Sequence, residues 1–430
     1  MTFHPKRHLP LLLVAALMAA LWFFKPEPPP LVTAPPPEKP APPALSMLAP
    51  PPDWSLLEIY QNSISRDEFE QLLTTVFTTG NAWQNSIEIT ETEARIKTGD
   101  SGEILTLRFA PAGAEITAPR HWRTAAELQP TTPDKPLAGM KIAIDAGHIG
   151  GEWAKVEERW MVVGDGTPVC EGDMTLFVAN LLKPKLEALG ATVSLVREKN
   201  EPITSIRPAD LLTLARESNP PDASPAVIQR TADRLFYRTA EIRARAELVN
   251  TTLKPDLVIC LHFNAEPWGD STNPTLIDRT HLHLLLNGAY NDDEVILADQ
   301  RFALLQKLLQ RTHQEEALVG ASVANSFAEI SGLPPYLYPP DSTNVRPVAG
   351  HPYLWARNLL ANRLYNCPVI FMEPYVMNST IDYPRFQAGD YDGLREIGGK
   401  MQPSIFREYA DAVAAGLATY YSQSRPPAGQ

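Results

Sequence analysis

The chain has 430 residues, 44% of them apolar, enough for a sizeable core in two or three domains. Lys and Arg total 38 against 50 Asp and Glu, and the resulting net charge of −12 excludes the basic stripes that non-specific nucleic-acid binding needs. Three cysteines, Cys170, Cys260 and Cys367, are too few for a disulfide framework, and one stays unpaired unless it bridges chains.

Lys6 and Arg7 precede the apolar run 9–24. As a helix it is about 24 Å long, between a signal-peptide core and a comfortable membrane span. No small-x-small cleavage site follows, so residues 1–25 read as an uncleaved signal anchor with Lys6 and Arg7 inside; a cleaved signal peptide is the alternative. Either reading exports the body of the protein, to the periplasm or cell envelope, and the anchor makes the membrane a partner. Residues 26–52 hold 13 of the 42 prolines. They read as a stiff polyproline-type spacer reaching on the order of 80 Å, with a Pro-rich recognition segment as the alternative.

Residues 53–130 read as a small α+β module without evident chemistry. "SRDE", 65–68, looks like a capping box ahead of "FEQLLTTVF". "SIEITETEARIKT" and "GEILTLRFA" alternate like strands around the turn "GDSG".

From residue 138 to 425 strands and helices alternate. "KIAIDAG", "ATVSLVRE", "PDLVICLHFNAE", "THLHLLLNG" and "CPVIFMEPY" are strand-like. "DMTLFVANLLKPKLEALG", "TAEIRARAELVNTTL", "RFALLQKLLQRTHQ" and "FREYADAVAAGLATYY" are helical, the first with Pro184 inside it. This order predicts an α/β fold: a mostly parallel sheet with helices on both faces, a hydrolase-like three-layer sandwich.

Strand ends in such sheets carry chemistry. Here they deliver "DAGH", "LHFNAE" and "FMEPY" to one rim, and Glu171 opens the first helix in "CEGDMTL". Alone, a strand-end histidine is usually structural, and Glu171 could simply be favoured by the helix dipole. Together, two neutral imidazoles and a carboxylate (His148, His262 and Glu171) make a catalytic zinc shell with one position left for water. A further carboxylate off the metal, Glu373, suits a proton shuttle.

Five ordered motifs over roughly 140–422 resemble the zinc-dependent N-acetylmuramoyl-L-alanine amidases of the amidase_3 type. They are "IAIDAGHIGG", "EGDMTLFVANLLKPKLEALGATVSLVRE", "RAELVN" (245–250), "DLVICLHFNAE" and "CPVIFMEPYVMNSTID". The resemblance implies that His148, Glu171 and His262 bind Zn2+ and that Glu373 is the general base and acid. It also implies hydrolysis of peptidoglycan at the amide between the lactyl group of N-acetylmuramic acid and L-alanine of the stem peptide. Peptidoglycan is then the partner, with the need for an activator protein left open. A zinc peptidase acting on stem peptides and a non-catalytic wall-binding protein are the rival readings.

The chain departs from the family pattern in places. Ile149 follows His148 where glycine is usual, and the loop to Glu171 is long, which keeps Glu152, Glu157 and Glu158 open as alternative carboxylate ligands. Residues 199–237 look inserted, and 331–366 extend the approach to the last strand. Asn264, Arg346 and Arg357 are the candidate substrate contacts, the arginines for stem-peptide carboxylates. His281 and His283 share a strand face and read as structural or groove-lining. Cys170 and Cys260, which flank proposed ligands, read as buried thiols, with a disulfide or metal ligation as alternatives.

Overall fold

The computed structural model describes residues 45–99, 103–114 and 116–426. The expected signal anchor, most of the proline-rich spacer and part of the "GDSG" turn lie outside the described residues. Among those described, no helix is long and apolar enough to cross a membrane.

Ser65 caps the helix Arg66–Leu72, its hydroxyl accepting the Glu68 N–H at 3.2 Å. The expected single strand 86–98 is two, β1 (Ile87–Ile89) and β2 (Glu93–Lys97), which with β3 (Ile104–Arg108) form an antiparallel sheet. Alternation turns Ala94, Ile96, Leu105 and Leu107 inward. These residues share one apolar cluster with Leu304, Leu305, Leu308 and Leu309 of the helix Ala298–Gln310.

The large sheet is built from β4 (Lys141–Ala146), β7 (Thr192–Leu195), β8 (Leu257–Leu261), β9 (Leu282–Leu286), β10 (Arg346–Pro347), β11 (Leu354–Ala356) and β12 (Val369–Pro374). A two-stranded hairpin, β5 (Trp160–Met161) with β6 (Val169–Cys170), stands apart from it. The order across the large sheet is β10-β11-β9-β12-β8-β4-β7. Strands β7, β4, β8 and β12 are parallel. Strand β9 runs antiparallel to β12, and β11 follows β9 in parallel.

Strands β8 and β9 are buried at every position, His283 of β9 included, as a sheet covered on both faces requires. On one face Ile142, Ile144, Ile259 and Met372 pack among the helices Glu171–Ala188, Thr312–Ser331 and Ile405–Ser424. On the other, Ala143, Val258, Cys260 and Phe371 pack against Ala246, Val249 and Ala361. The result is the three-layer α/β arrangement. Pro184 does not break its helix. The packing of that helix on the sheet outweighs the ~3 kcal/mol an interior proline costs.

The stretch expected as one helix, 301–314, is the junction of two. The chain turns left-handed at Arg311 (φ 58°) between Ala298–Gln310 and Thr312–Ser331. Arg311 compensates by donating to Glu68 at 2.6 Å and to the Ser63 carbonyl at 3.0 Å.

Two stability predictions follow from this packing. A Cβ on Gly416 would stand 2.5 Å from the Val323 Cα, a backbone atom that cannot move aside cheaply. Gly416→Ala should therefore destabilise by about 1–3 kcal/mol in chemical denaturation, the range for overpacking. His313 packs edge-on against Phe77, its Nδ1 has no partner among the described residues, and burial lowers its pKa to about 4. The unfolded chain takes up this proton near pH 6.5 and the folded one does not, so stability is lost as pH falls from about 6.5 towards 4. His313→Leu should flatten that decline by up to the ~1.4 kcal/mol per pH unit of one proton, read from urea midpoints at several pH values.

Candidate metal centre

Strand β4 ends at Ala146, Gly147 donates to the Leu261 carbonyl at 2.9 Å, and the chain turns left-handed at His148 (φ 60°). A Cβ at Gly147 would lie 2.3 Å from Cε1 of His262, so only glycine lets the chain pass over that ring. His262 follows β8 directly. The pairing of Phe371 with Cys260, and the strand alternation, put His262 and Glu373 on one face. The His262 ring stacks on Phe371 with centroids 4.3 Å apart and 15° between planes. Glu171 is the first residue of its helix, and its N–H bonds to the Arg159 carbonyl at 3.2 Å.

These three residues meet. Nε2 of His148 lies 3.1 Å from one Glu171 oxygen, and Nδ1 of His262 lies 2.9 Å from the other. The two imidazoles are 5.1 Å apart and nearly perpendicular. Burial opposes charge on His148, but Glu171 on one side and Glu157 on the other push it up to about 9. Burial alone would raise Glu171; the two imidazoles, His148 foremost, reverse this and hold it well below the carboxylate range. Burial lowers His262. Two imidazoles around a carboxylate make a donor set for a metal cation.

The loop between β4 and Glu171 supplies supports the sequence reading did not identify. Glu157 is not beside Glu171 but behind His148, 3.4 Å from Nδ1, and it also accepts the N–H groups of Ile149 and Gly150, each at 2.9 Å. Arg159 forms an ion pair with Glu171, its Nε 3.1 Å from the carboxylate, and donates from its terminal nitrogen to the Glu158 carbonyl at 3.0 Å. Beneath them Arg245 is buried, donating to Asp145 and Glu241 at 2.8 Å and to the carbonyls of Ala146 and His148 at 2.9 and 2.7 Å. Arg197 grips the Ala146 carbonyl at 2.9 Å. Asn250, the far end of the "RAELVN" motif, bonds Leu364 and Asn366 at 2.8 Å and so fixes the approach to β12. Lone arginines in loops give no signal in one sequence; Arg245 and Asn250 were visible only through the motif.

Two cavities flank the triad. One, about 260 Å³, is walled by Tyr237, Arg238 and Glu241, so the end of the 199–237 segment and the helix after it reach the centre. The other, about 290 Å³, is lined by Glu373, Asn264, Arg357, His283, Tyr336 and Tyr338 besides His148, Arg159 and His262. Burial, and secondarily the Glu171 charge, push Glu373 up to about 8. Arg346 is elsewhere: it donates to the carbonyls of Thr74 and Thr75 at 2.9 and 3.2 Å, on the N-terminal segment. Glu152 is exposed, and Glu158 pairs with Arg234 at 3.1 Å. Cys170, Cys260 and Cys367 are free thiols, the last two buried.

No protein-family model matches the sequence, and no curated protein matches it. Solved structures do resemble the fold. The apo N-acetylmuramyl-L-alanine amidase Ami1 of Mycobacterium abscessus is 17% identical, with 66% of this chain and 99% of that one covered and a TM-score of 0.37. The catalytic domain of CwlV, an N-acetylmuramoyl-L-alanine amidase of Bacillus (Paenibacillus) polymyxa var. colistinus, is 13% identical, covering 65% and 96% at a TM-score of 0.36. The CwlD amidase of Clostridioides difficile, solved in complex with the GerS lipoprotein, is 13% identical, covering 66% and 100% at a TM-score of 0.36.

The donor set fits a metal. One ligand atom each from His148, Glu171 and His262 lies within 4.8 Å of the others, so the cluster could hold one ion. Imidazole and carboxylate donors suit zinc and the neighbouring first-row metals. Glu157 then holds His148 with Nε2 inward, the role of a carboxylate behind a ligating imidazole. Glu157→Ala should weaken metal binding by roughly 10–100-fold in a chelator competition, the usual effect of removing such a support. Unchanged affinity would show that the tautomer is set without it.

Proposed function

We propose that the chain is a zinc-dependent N-acetylmuramoyl-L-alanine amidase of peptidoglycan. The observation that carries this reading is the convergence of His148, Glu171 and His262 on one point, with Glu373 lining the cleft in front of them. The resemblance of the five motifs supplies the substrate. In this reading residues 138–425 are the catalytic domain, 53–130 an accessory module, 26–52 a spacer and 1–25 a signal anchor or signal peptide. The protein then works in the cell envelope, with an activator protein as an open second partner.

When bound, the zinc supplies Lewis-acid polarisation of the scissile carbonyl and a water acidified to about pKa 7. Glu373 accepts the proton of the attacking water on its carboxylate and delivers it to the departing L-alanine nitrogen. Phe371 keeps the His262 ring in place by stacking, and Arg159 holds Glu171 by an ion pair.

Mass spectrometry of digested muropeptides distinguishes this reading from its rivals. Intact stem peptides released from lactyl-bearing glycan are expected. Shortened stems would instead identify a peptidase, and no product a binding protein. Glu373→Gln should keep zinc yet lose at least ~10²–10⁴-fold in turnover, the contribution of general acid–base catalysis. Near-normal turnover of a zinc-loaded Glu373→Gln protein would remove Glu373 from the mechanism.

A further inference from the structure

The 290 Å³ cavity in front of Glu373 contains two guanidinium groups in very different circumstances. Arg159 is committed to Glu171 and to the Glu158 carbonyl. Arg357 has no carboxylate within ion-pair distance among the described residues; its side-chain partner is the Tyr338 hydroxyl, which also lies 3.3 Å from Nε2 of His283. Its backbone N–H donates to the Leu286 carbonyl at 2.9 Å, which prolongs the pairing of β11 with β9 and fixes where the side chain starts. Arg357 is thus a half-buried, anchored cation on the wall of the reactive cleft. Asn264, on the same cavity, accepts the Ala265 N–H through Oδ1 at 2.6 Å, and its Nδ2 has no acceptor among the described residues.

A half-buried guanidinium with no ion-pair partner is placed to take an anionic ligand. In a chain of net charge −12 this one stands beside Glu373, the only acid lining its cavity among the described residues and the one already assigned to moving the proton. On the reading proposed above, which this inference rests on, the acyl side of the scissile amide is a neutral sugar ether, and carboxylates occur only on the peptide side. We infer that Arg357, assisted by Asn264, is the specificity residue for that side. It binds a free carboxylate on the residue after alanine, so the preferred substrates are acyl-alanyl peptides that carry this negative charge. Planar guanidinium donors suit a carboxylate bidentately, and the neutral amide of the same shape offers one acceptor oxygen and no charge.

The test uses two probes, N-acetylmuramoyl-L-alanyl-D-glutamic acid with a free α-carboxylate and its α-amide. For the zinc-loaded wild-type protein, kcat/KM should favour the acid by roughly 10–100-fold, carried mainly by KM, as expected for a charge-assisted bond formed on binding. Arg357→Gln should bring that ratio close to one, and Arg357→Lys should restore part of it, with thermal melts confirming that both variants fold. The same pair is titrated calorimetrically into metal-free protein, where the acid should bind more tightly in wild type and lose its advantage in Arg357→Gln. A wild-type ratio near one, or a ratio unchanged by Arg357→Gln, overturns the subsite while leaving the amidase reading intact. Discrimination in binding without cleavage of either probe has the opposite meaning: the subsite stands and the amidase reading falls.

Discussion

The buried guanidinium of Arg245 is the constraint on which the centre depends. It bonds the Asp145 side chain, the carbonyls of Ala146 and His148, and Glu241 one helical turn away. Tyr365 donates to the other Asp145 oxygen, and Glu241 accepts the Thr204 N–H at 3.0 Å. One side chain therefore joins the end of β4, the left-handed turn at His148, the helix Glu241–Glu247 and the segment beyond β7. A charge so deeply placed is tolerated because every partner is present; removal of one partner of such a set typically costs about 3–5 kcal/mol. It also explains how His148 keeps a positive φ, a conformation that costs a non-glycine residue of order 1–3 kcal/mol.

Above that foundation the centre is two carboxylates arranged around two imidazoles. Glu171 faces both rings, and Glu157 faces only the outer nitrogen of His148. The sequence favoured Glu171 as the ligand and kept Glu152, Glu157 and Glu158 open as alternatives. The distinction comes from the hairpin β5–β6, which returns the chain so that Glu171 begins its helix against Arg159. Backbone geometry, rather than the identity of the acids, separates their positions.

The strands were legible because both faces of a parallel sheet must be covered, which leaves unbroken apolar runs in "IAI", "LVICL" and "VIFM". The reversal of β9 left no trace, since "LHLLL" is buried at each position whichever way it runs. The break at Arg311 was equally hidden, because it depends on Glu68, more than two hundred residues away. His148, Glu171 and His262 could be nominated from their places at strand and helix ends. Arg346 and Arg357 looked alike in sequence, eleven positions apart in one proline- and tyrosine-bearing stretch. Their separation was decided by the short antiparallel pairing of β10 with β11, which turns Arg346 towards the N-terminal segment while Arg357 continues beside β9.

The loop from Ile149 to Cys170 has a further consequence, for where this chain tolerates insertions. Glu157 and Arg159, two positions apart, are each tied to a different ring-facing group, so one residue gained or lost between 149 and 160 would shift both at once. The hairpin tip is held less tightly: Thr167 exchanges two hydrogen bonds with Gln387, at 2.8 and 2.9 Å, while Gly164 and Asp165 are exposed. An insertion is therefore best tolerated at Gly164 and Asp165, leaving the segment on either side fixed in register.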